Sequence, residues 1–264
     1  MNVIVPIILI VGGLAAIFYF RPTTQNEVTE IKYMHTKKIS ELREMFNQMD
    51  AQGLGNDYRE FVEIKGKIVS DNLVETPFSN RKVAYCKSKV SQVTEDREQY
   101  RDSQGNLRTR TTKRENVISD EKSSQNIMII DDSTNEPVIV EINGTGCKFD
   151  IPKTFDRFEQ KENLGRYRYF NNFSWDRFGV DTLGFKMIEE TIEENQSLYI
   201  IGEAFRVGDK LHIGKPMDSK KPFIVTTKSE EDMVNSSNQH AKFLLIGGII
   251  AIIGGIVMLV SSFR

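Results

Sequence analysis

Two uncharged apolar runs, one near each end, enclose a long amphipathic stretch. "VIVPIILIVGGLAAIFYF" covers 3–20 and "FLLIGGIIAIIGGIVMLV" covers 243–260. At a helical rise of about 1.5 Å per residue each spans about 27 Å, close to the ~30 Å hydrocarbon core of a bilayer. The pattern predicts two transmembrane helices. Met1 and Asn2 give the first run no basic start, and Phe18-Tyr19-Phe20 offers no small-residue cleavage site. It therefore reads as a retained anchor rather than a signal peptide, with its aromatic end at the interface and Arg21 just outside.

Between the runs the period changes. Over 27–50, Val28, Ile31, Met34, Ile39, Leu42, Met45, Phe46 and Met49 fall near helical spacing, and Gly53 and Gly55 follow. This predicts an amphipathic stalk helix packed on its own domain. From Tyr58 the period shortens to two. "FVEIKGKIV", "RKVAYCKSKVSQV", "IMIID", "VIVEI", "LYIIGEAFRVGDKLHIG" and "PFIVTT" read as strands. Gly105-Asn106 marks a hairpin tip, 133–137 a turn cluster and Val207-Gly208-Asp209 a tight turn. Ser229, followed by Glu230, Glu231 and Asp232, reads as the cap of a final helix.

The expected fold is a membrane-anchored α+β protein: two transmembrane helices flanking one antiparallel, β-rich, barrel-like domain with an amphipathic stalk helix. Its segments are a first transmembrane helix (1–22), the stalk and linker (23–56), the β-rich domain (57–230), a short helix or linker (231–242) and a second transmembrane helix (243–264).

Composition narrows the function. The 264 residues carry a net charge of only −2 with 27% charged side chains, which gives no general attraction to nucleic acid. The one local basic excess is Arg101, Arg108, Arg110, Lys113 and Arg114. It could touch phosphate or anionic headgroups, but Glu95, Asp96, Glu98, Asp102, Glu115, Asp120 and Glu121 surround it, so it reads as a solvated hairpin. Cys86 and Cys147 share no metal-ligand spacing. They read as buried strand thiols, with a disulfide in an oxidising compartment as the alternative. His35, His212 and His240 are dispersed, and no nucleophile elbow accompanies His212. No catalytic, metal or cofactor residue is expected. A catalytic reading would have to use Cys86, Cys147 or His212.

Two features suit interactions. Gly247, Ala251 and Gly255, with Gly12 and Ala16 in the first run, form small-residue stripes that let helices approach closely. "NLGRYRYFNNFSWDRFG" concentrates Tyr167, Tyr169, Phe170, Phe173 and Trp175. It is either a partner surface or aromatic packing over the sheet.

The order of segments resembles the GIDE family, also called BAM ("beside a membrane"), which includes a mitochondrial membrane-anchored E3 ubiquitin ligase. "FVEIKGKIVSDNLVETPFSNRKVAYCKSKV" is similar to the family's first strand pair, with Gly66. "LYIIGEAFRVGDKLHIGKP" is similar to its late Gly-Glu hairpin, here Gly202-Glu203, and "PFIVTTKSEEDMVNSS" leads into the last anchor. The resemblance implies a membrane helix, stalk, β-rich domain and second membrane helix. The ligase carries a RING finger after its second helix. A RING needs eight Cys or His ligands, against two Cys and three His here. The chain is therefore expected to be a RING-less, prokaryotic-type relative.

The expected function is a non-enzymatic, two-pass membrane protein whose domain is a membrane-side interaction or scaffold module. The expected partners are the lipid bilayer and either a membrane protein or a second copy, with no nucleic acid and no cofactor. The alternative is a RING-less relative of E3 ubiquitin ligases that positions a partner enzyme. Arg21, Lys32, Lys37 and Lys38 follow the first anchor, and the positive-inside rule then favours a cytoplasmic domain. The resemblance implies the opposite, outer face.

Overall fold

The computed structural model describes residues 4–20, 34–55, 57–123, 126–142, 146–171, 173, 178–179 and 181–262. In chain order its helices are α1 (Ile4–Ala15), α2 (Ile39–Ala51) and α3 (Glu230–Ser262). Its strands begin with β1 (Thr36–Lys37), β2 (Glu60–Val69), β3 (Val74–Glu75), β4 (Lys82–Val83), β5 (Tyr85–Arg101), β6 (Leu107–Lys122) and β7 (Ile127–Asp131). They continue with β8 (Thr134–Val140), β9 (Cys147–Asp150), β10 (Lys153–Glu159), β11 (Thr182–Ile192), β12 (Ser197–Val207), β13 (Lys210–Gly214) and β14 (Phe223–Thr226). The chain divides into two compact units.

Residues 38–217 and 223–227 form the β-rich unit. Alternation in β2 turns Val62, Ile64 and Ile68 to one side, where they join Ile129, Val138, Ile200 and Ile213 in one buried core. The sheet closes on itself: β2 pairs with β7, β7 with β8, β8 with β13, β13 with β12, and β12 again with β2. Counted along the chain, the barrel strands run first, second, third, fifth, fourth and back to first. That is the connectivity of an OB-type Greek-key barrel. Most pairings are antiparallel, as expected, and two are not. β13 lies parallel to β8, and β14 lies parallel to β9. A parallel pair joins strands distant in sequence and leaves no hairpin signal between them.

Two insertions build a second sheet, ordered β10-β11-β5-β6. One insertion enters after the first barrel strand and the other after the third. β11 runs against β5 from Thr182↔Thr94 to Ile192↔Tyr85. β5 and β6 stay paired to Arg101↔Leu107, well past the end of β11. Gly105, at φ 83°, turns the tip as the sequence predicts. This sheet carries its own core of Phe78, Val90, Leu164, Tyr167, Phe170, Phe185 and Met187.

The stalk helix is shorter than the sequence predicts. Residues 34–38 are not helical, α2 starts at Ile39, and 27–33 lie outside the described residues. The start is set by the tertiary fold. The Asp131 carboxylate, from the end of β7, accepts the Ile39 amide at 2.8 Å, and the Ser133 hydroxyl accepts the Ser40 amide at 3.0 Å. These groups satisfy helix donors that have no partner within the helix. As expected, α2 packs on its own domain: Ile39, Leu42 and Phe46 are fully buried in the barrel core.

The second unit holds 1–37, 218–222 and 228–264. The Ser229 hydroxyl accepts the Asp232 amide at 3.1 Å, which caps α3 as predicted. From there α3 is one continuous helix of 33 residues, which takes in both the short helix or linker segment and the second apolar run. Ala241–Ser262 is long and apolar enough to cross a membrane, and Ile4–Phe20 is a shorter apolar helix.

Candidate functional site

β12 is the hub of the β-rich unit. One edge pairs with β2 from Ser197 to Ala204. The other pairs with β14 at Tyr199–Ile201 and then with β13 from Glu203 onward. Gly202 sits at the changeover. A Cβ there would lie 2.8 Å from the Gly214 carbonyl and 2.9 Å from the Ile213 and Phe223 side chains, so only glycine fits without displacement. Gly66 plays the same part on β2, where a Cβ would fall 2.7 Å from the Ile130 carbonyl.

Beside Gly202 runs a row of charged and aromatic groups. Glu203 accepts from Arg59 Nη1 at 3.0 Å and from the Met217 amide at 3.3 Å. The Arg59 guanidinium lies 4.8 Å from the centre of the Phe205 ring, a cation–π contact. Phe205 stacks on His212 at 5.6 Å, and His212 Nδ1 meets Glu141 Oε1 at 2.9 Å. The row ties β2, β12, β13 and the end of β8 together across the barrel. It orients His212 without placing a nucleophile against it.

The two thiols are equally unsuited to attack. Both cysteines are free, so no disulfide joins Cys86 to Cys147. Burial pushes each thiol up to about 12, which keeps both protonated at neutral pH. Burial also raises the phenol of Tyr85 to about 12. Among the described residues no group of three His, Cys, Asp or Glu side chains could hold a metal ion. His35 lies before α2, outside regular structure, and His240 lies within α3.

Most of the aromatic segment turns inward. Tyr167 and Phe170 are buried, while Tyr169 and Phe173 pack against the second core. Phe173 stacks on Phe178 at 5.4 Å and meets Phe185 edge-on at 6.2 Å. Trp175 lies outside the described residues. The partner that sequence reasoning missed is Phe78, 5.3 Å from the Tyr169 ring. Its turn is held by Glu189, a fully buried carboxylate that accepts the Phe78 amide at 2.6 Å. An acid inside the alternation of β11 is the only trace of this in the sequence.

In the helical unit α1 and α3 pack antiparallel through glycine. A Cβ on Gly13 would fall 2.6 Å from the Gly248 carbonyl. One on Gly255 would fall 2.8 Å from the Pro6 carbonyl. Gly255 of the expected stripe is at this contact, and Ala16 and Ala251 are half-buried. Gly12 and Gly247 face open space instead, and Gly13 and Gly248 take the contact. Pro6 and Gly13, and likewise Ala241, Gly248 and Gly255, are buried at seven-residue intervals. That is the repeat of helices packed at a shallow angle, and a search for it would have found Gly248.

A family model described as GIDE, E3 ubiquitin ligase, matches residues 95–260, more than half of the chain. The chain belongs to the GIDE family. The GIDE match starts within β5 and covers the end of that strand, the other three strands of the second sheet, four of the five barrel strands and nearly all of α3. The Gly202-Glu203 pair and the glycine contacts of α3 both fall inside it. No curated protein and no solved structure matches the chain.

Proposed function

We propose that this GIDE protein is a two-pass membrane protein whose barrel domain serves as an interaction or scaffold module at the bilayer surface. The observation that carries this reading is the outer surface of the helical pair. Ile4, Ile8 and Val11 on α1, and Phe243, Ile250 and Val257 on α3, are each more than half exposed. Water does not tolerate so continuous an apolar surface, whereas lipid does. The glycine contacts supply what the hydrophobic effect cannot supply between helices in lipid, which is close van der Waals packing. With both ends anchored, the domain meets lateral partners at a high effective concentration. The positive-inside rule favours the cytoplasmic face. A second reading rests on the family description: the chain positions a ubiquitin-conjugating partner without performing the transfer itself.

The test is to solubilise the full chain from its membrane in mild detergent and measure the protein mass of the particle. We expect a defined assembly heavier than the 30.3 kDa chain, containing a second copy or one stoichiometric membrane protein. A strict monomer would overturn the scaffold reading. A conjugating enzyme held in that assembly would select the second one. Gly248→Leu should separate the two anchors and lower the yield of the assembly, because its Cβ would already press on Ile17 at 2.7 Å.

A further inference from the structure

We infer that the outer edge of β6 is a homotypic docking strand, which pairs antiparallel with β6 of a second copy. The inference rests on the interaction-module reading above and names one of its surfaces. β6 is 16 residues long and ends its sheet, so one of its two edges carries no strand among the described residues. Eleven consecutive residues, 107–117, are exposed. Past Thr94 the ribbon has two strands only, since β11 pairs no further. An isolated two-stranded ribbon without an apolar face is marginal in water, and a third strand is what such an arm lacks. Proteins usually shield long edges with repelling charge. Here the charge is instead arranged to fit a copy of itself.

The distribution of that charge selects the partner. Residues 107–114 hold Arg108, Arg110, Lys113 and Arg114 and no acid. Residues 115–122 hold Glu115, Asp120 and Glu121 against Lys122 alone. Antiparallel pairing about a two-fold axis sets each basic half against the other copy's acidic half. Parallel pairing would set like against like, which opposes association. Within one chain some of these groups are already paired across to β5, as with Arg114 and Asp96 at 2.7 Å. Such exposed pairs are weak and leave the side chains able to share a second partner. The Ile118 bulge, between Val117 and Ser119, interrupts the ladder to β5 once, within the acidic half of the strand.

The test uses the full chain reconstituted in liposomes, in a Cys86→Ala, Cys147→Ala background. Chains carrying only Arg108→Cys are mixed with differently tagged chains carrying only Glu121→Cys, and mild oxidant is added. The mixed crosslink is expected, and the Arg108→Cys self-crosslink is not. In parallel, Arg108→Glu with Arg110→Glu should weaken self-association about tenfold, as should Asp120→Lys with Glu121→Lys, and mixing the two variants should restore it. Energy transfer between labelled chains reads both effects, and high salt should weaken the wild-type contact. Equal self- and mixed crosslinking, or charge variants that associate like wild type, would overturn the inference. If a heavier assembly persists in that case, the scaffold reading stands and only this surface falls.

Discussion

The two halves of β5 share one partner strand yet live in different solvents. From Tyr85 to Val93 the strand pairs with β11, and from Lys87 also with β6, and Tyr85, Cys86, Val90 and Ser91 are buried. From Arg97 to Arg101 it is flanked by β6 alone, and every residue is exposed. The ladder of backbone hydrogen bonds continues across both halves, so pairing by itself does not make a core. The third strand and the cover of Leu164, Tyr167, Phe170, Phe173 and Phe178 do. Stability should therefore be concentrated in the inner half, while the outer half is held mainly by cross-strand charge.

The sharpest way to break this comparison is to remove mass from each half. Phe185, on β11, is fully buried and meets Phe170, Phe173 and Phe178 at ring distances of 5.1 to 6.2 Å. Phe185→Ala should cost about 3–5 kcal/mol of domain stability. Leu107→Ala, at an exposed site on the ribbon, should stay within about 0.5 kcal/mol. Denaturant unfolding of the full chain in detergent compares them, and equal effects would refute the division.

Glu189 sharpens the same point with polar chemistry. Its Oε1 accepts the Phe78 amide at 2.6 Å and the Ser79 amide at 3.2 Å, and its Oε2 accepts the Ser79 hydroxyl at 2.5 Å. Glu189→Ala leaves the buried Phe78 amide and the part-buried Ser79 amide without this acceptor and should cost about 1–3 kcal/mol. Glu189→Gln retains one acceptor oxygen and should cost less. A loss of the same size in both variants would show that charge, not acceptor count, holds the turn.

What the sequence revealed follows from the range of the forces involved. Alternation in β2 and β12, glycine at 105 and 208, and the Ser229 cap are local, and each was legible. The barrel closure was not, because the pairings of β2 with β12 and β8 with β13 join segments far apart in the chain. The start of α2 was hidden for a related reason: its cap, Asp131, lies 92 residues away from Ile39. The apolar spacing ran on through Met34, which lies before the residue at which that cap starts the helix. In the helical pair the four-residue glycine spacing pointed to Gly247, but packing follows the seven-residue interval through Gly248. The aromatic segment showed its composition without showing which side it faced. Tyr167 and Tyr169 stood out by type alone, whereas Phe78, from a turn much earlier in the chain, gave no sign of packing against Tyr169.

Asp131 should give the division a pH signature. Burial works against its ionised form. Hydrogen bonds from the Ser133 hydroxyl and from the amides of Ile39, Ser133 and Thr134 outweigh that and hold its carboxyl below the ordinary value. A folded-state value below the unfolded one contributes stability that is present above the ordinary carboxylate range. That stability is lost as pH falls through the depressed folded value. Asp131→Asn should cost about 1 kcal/mol at neutral pH and flatten this acid loss. Unfolding midpoints measured from neutral pH down into the acid range would show it, and an unchanged acid slope would assign that loss to other carboxylates.

The smallest effect belongs to the ribbon's own charge pairs. Arg114 and Asp96 meet at 2.7 Å with side chains 68% and 45% exposed. Water and salt screen such a pair, so Asp96→Asn should change domain stability by less than about 0.5 kcal/mol. Its consequence should be local: faster amide hydrogen exchange over 95–101 and 107–115, with the inner half of β5 unaffected. Exchange in the outer ribbon should also slow as protein concentration rises if β6 acquires a partner strand, while the inner half stays protected throughout. A loss above about 1 kcal/mol from Asp96→Asn would mean that the ribbon unfolds together with the core. The outer half of β5 would then be an integral part of the domain, and its exposure would not make it separable.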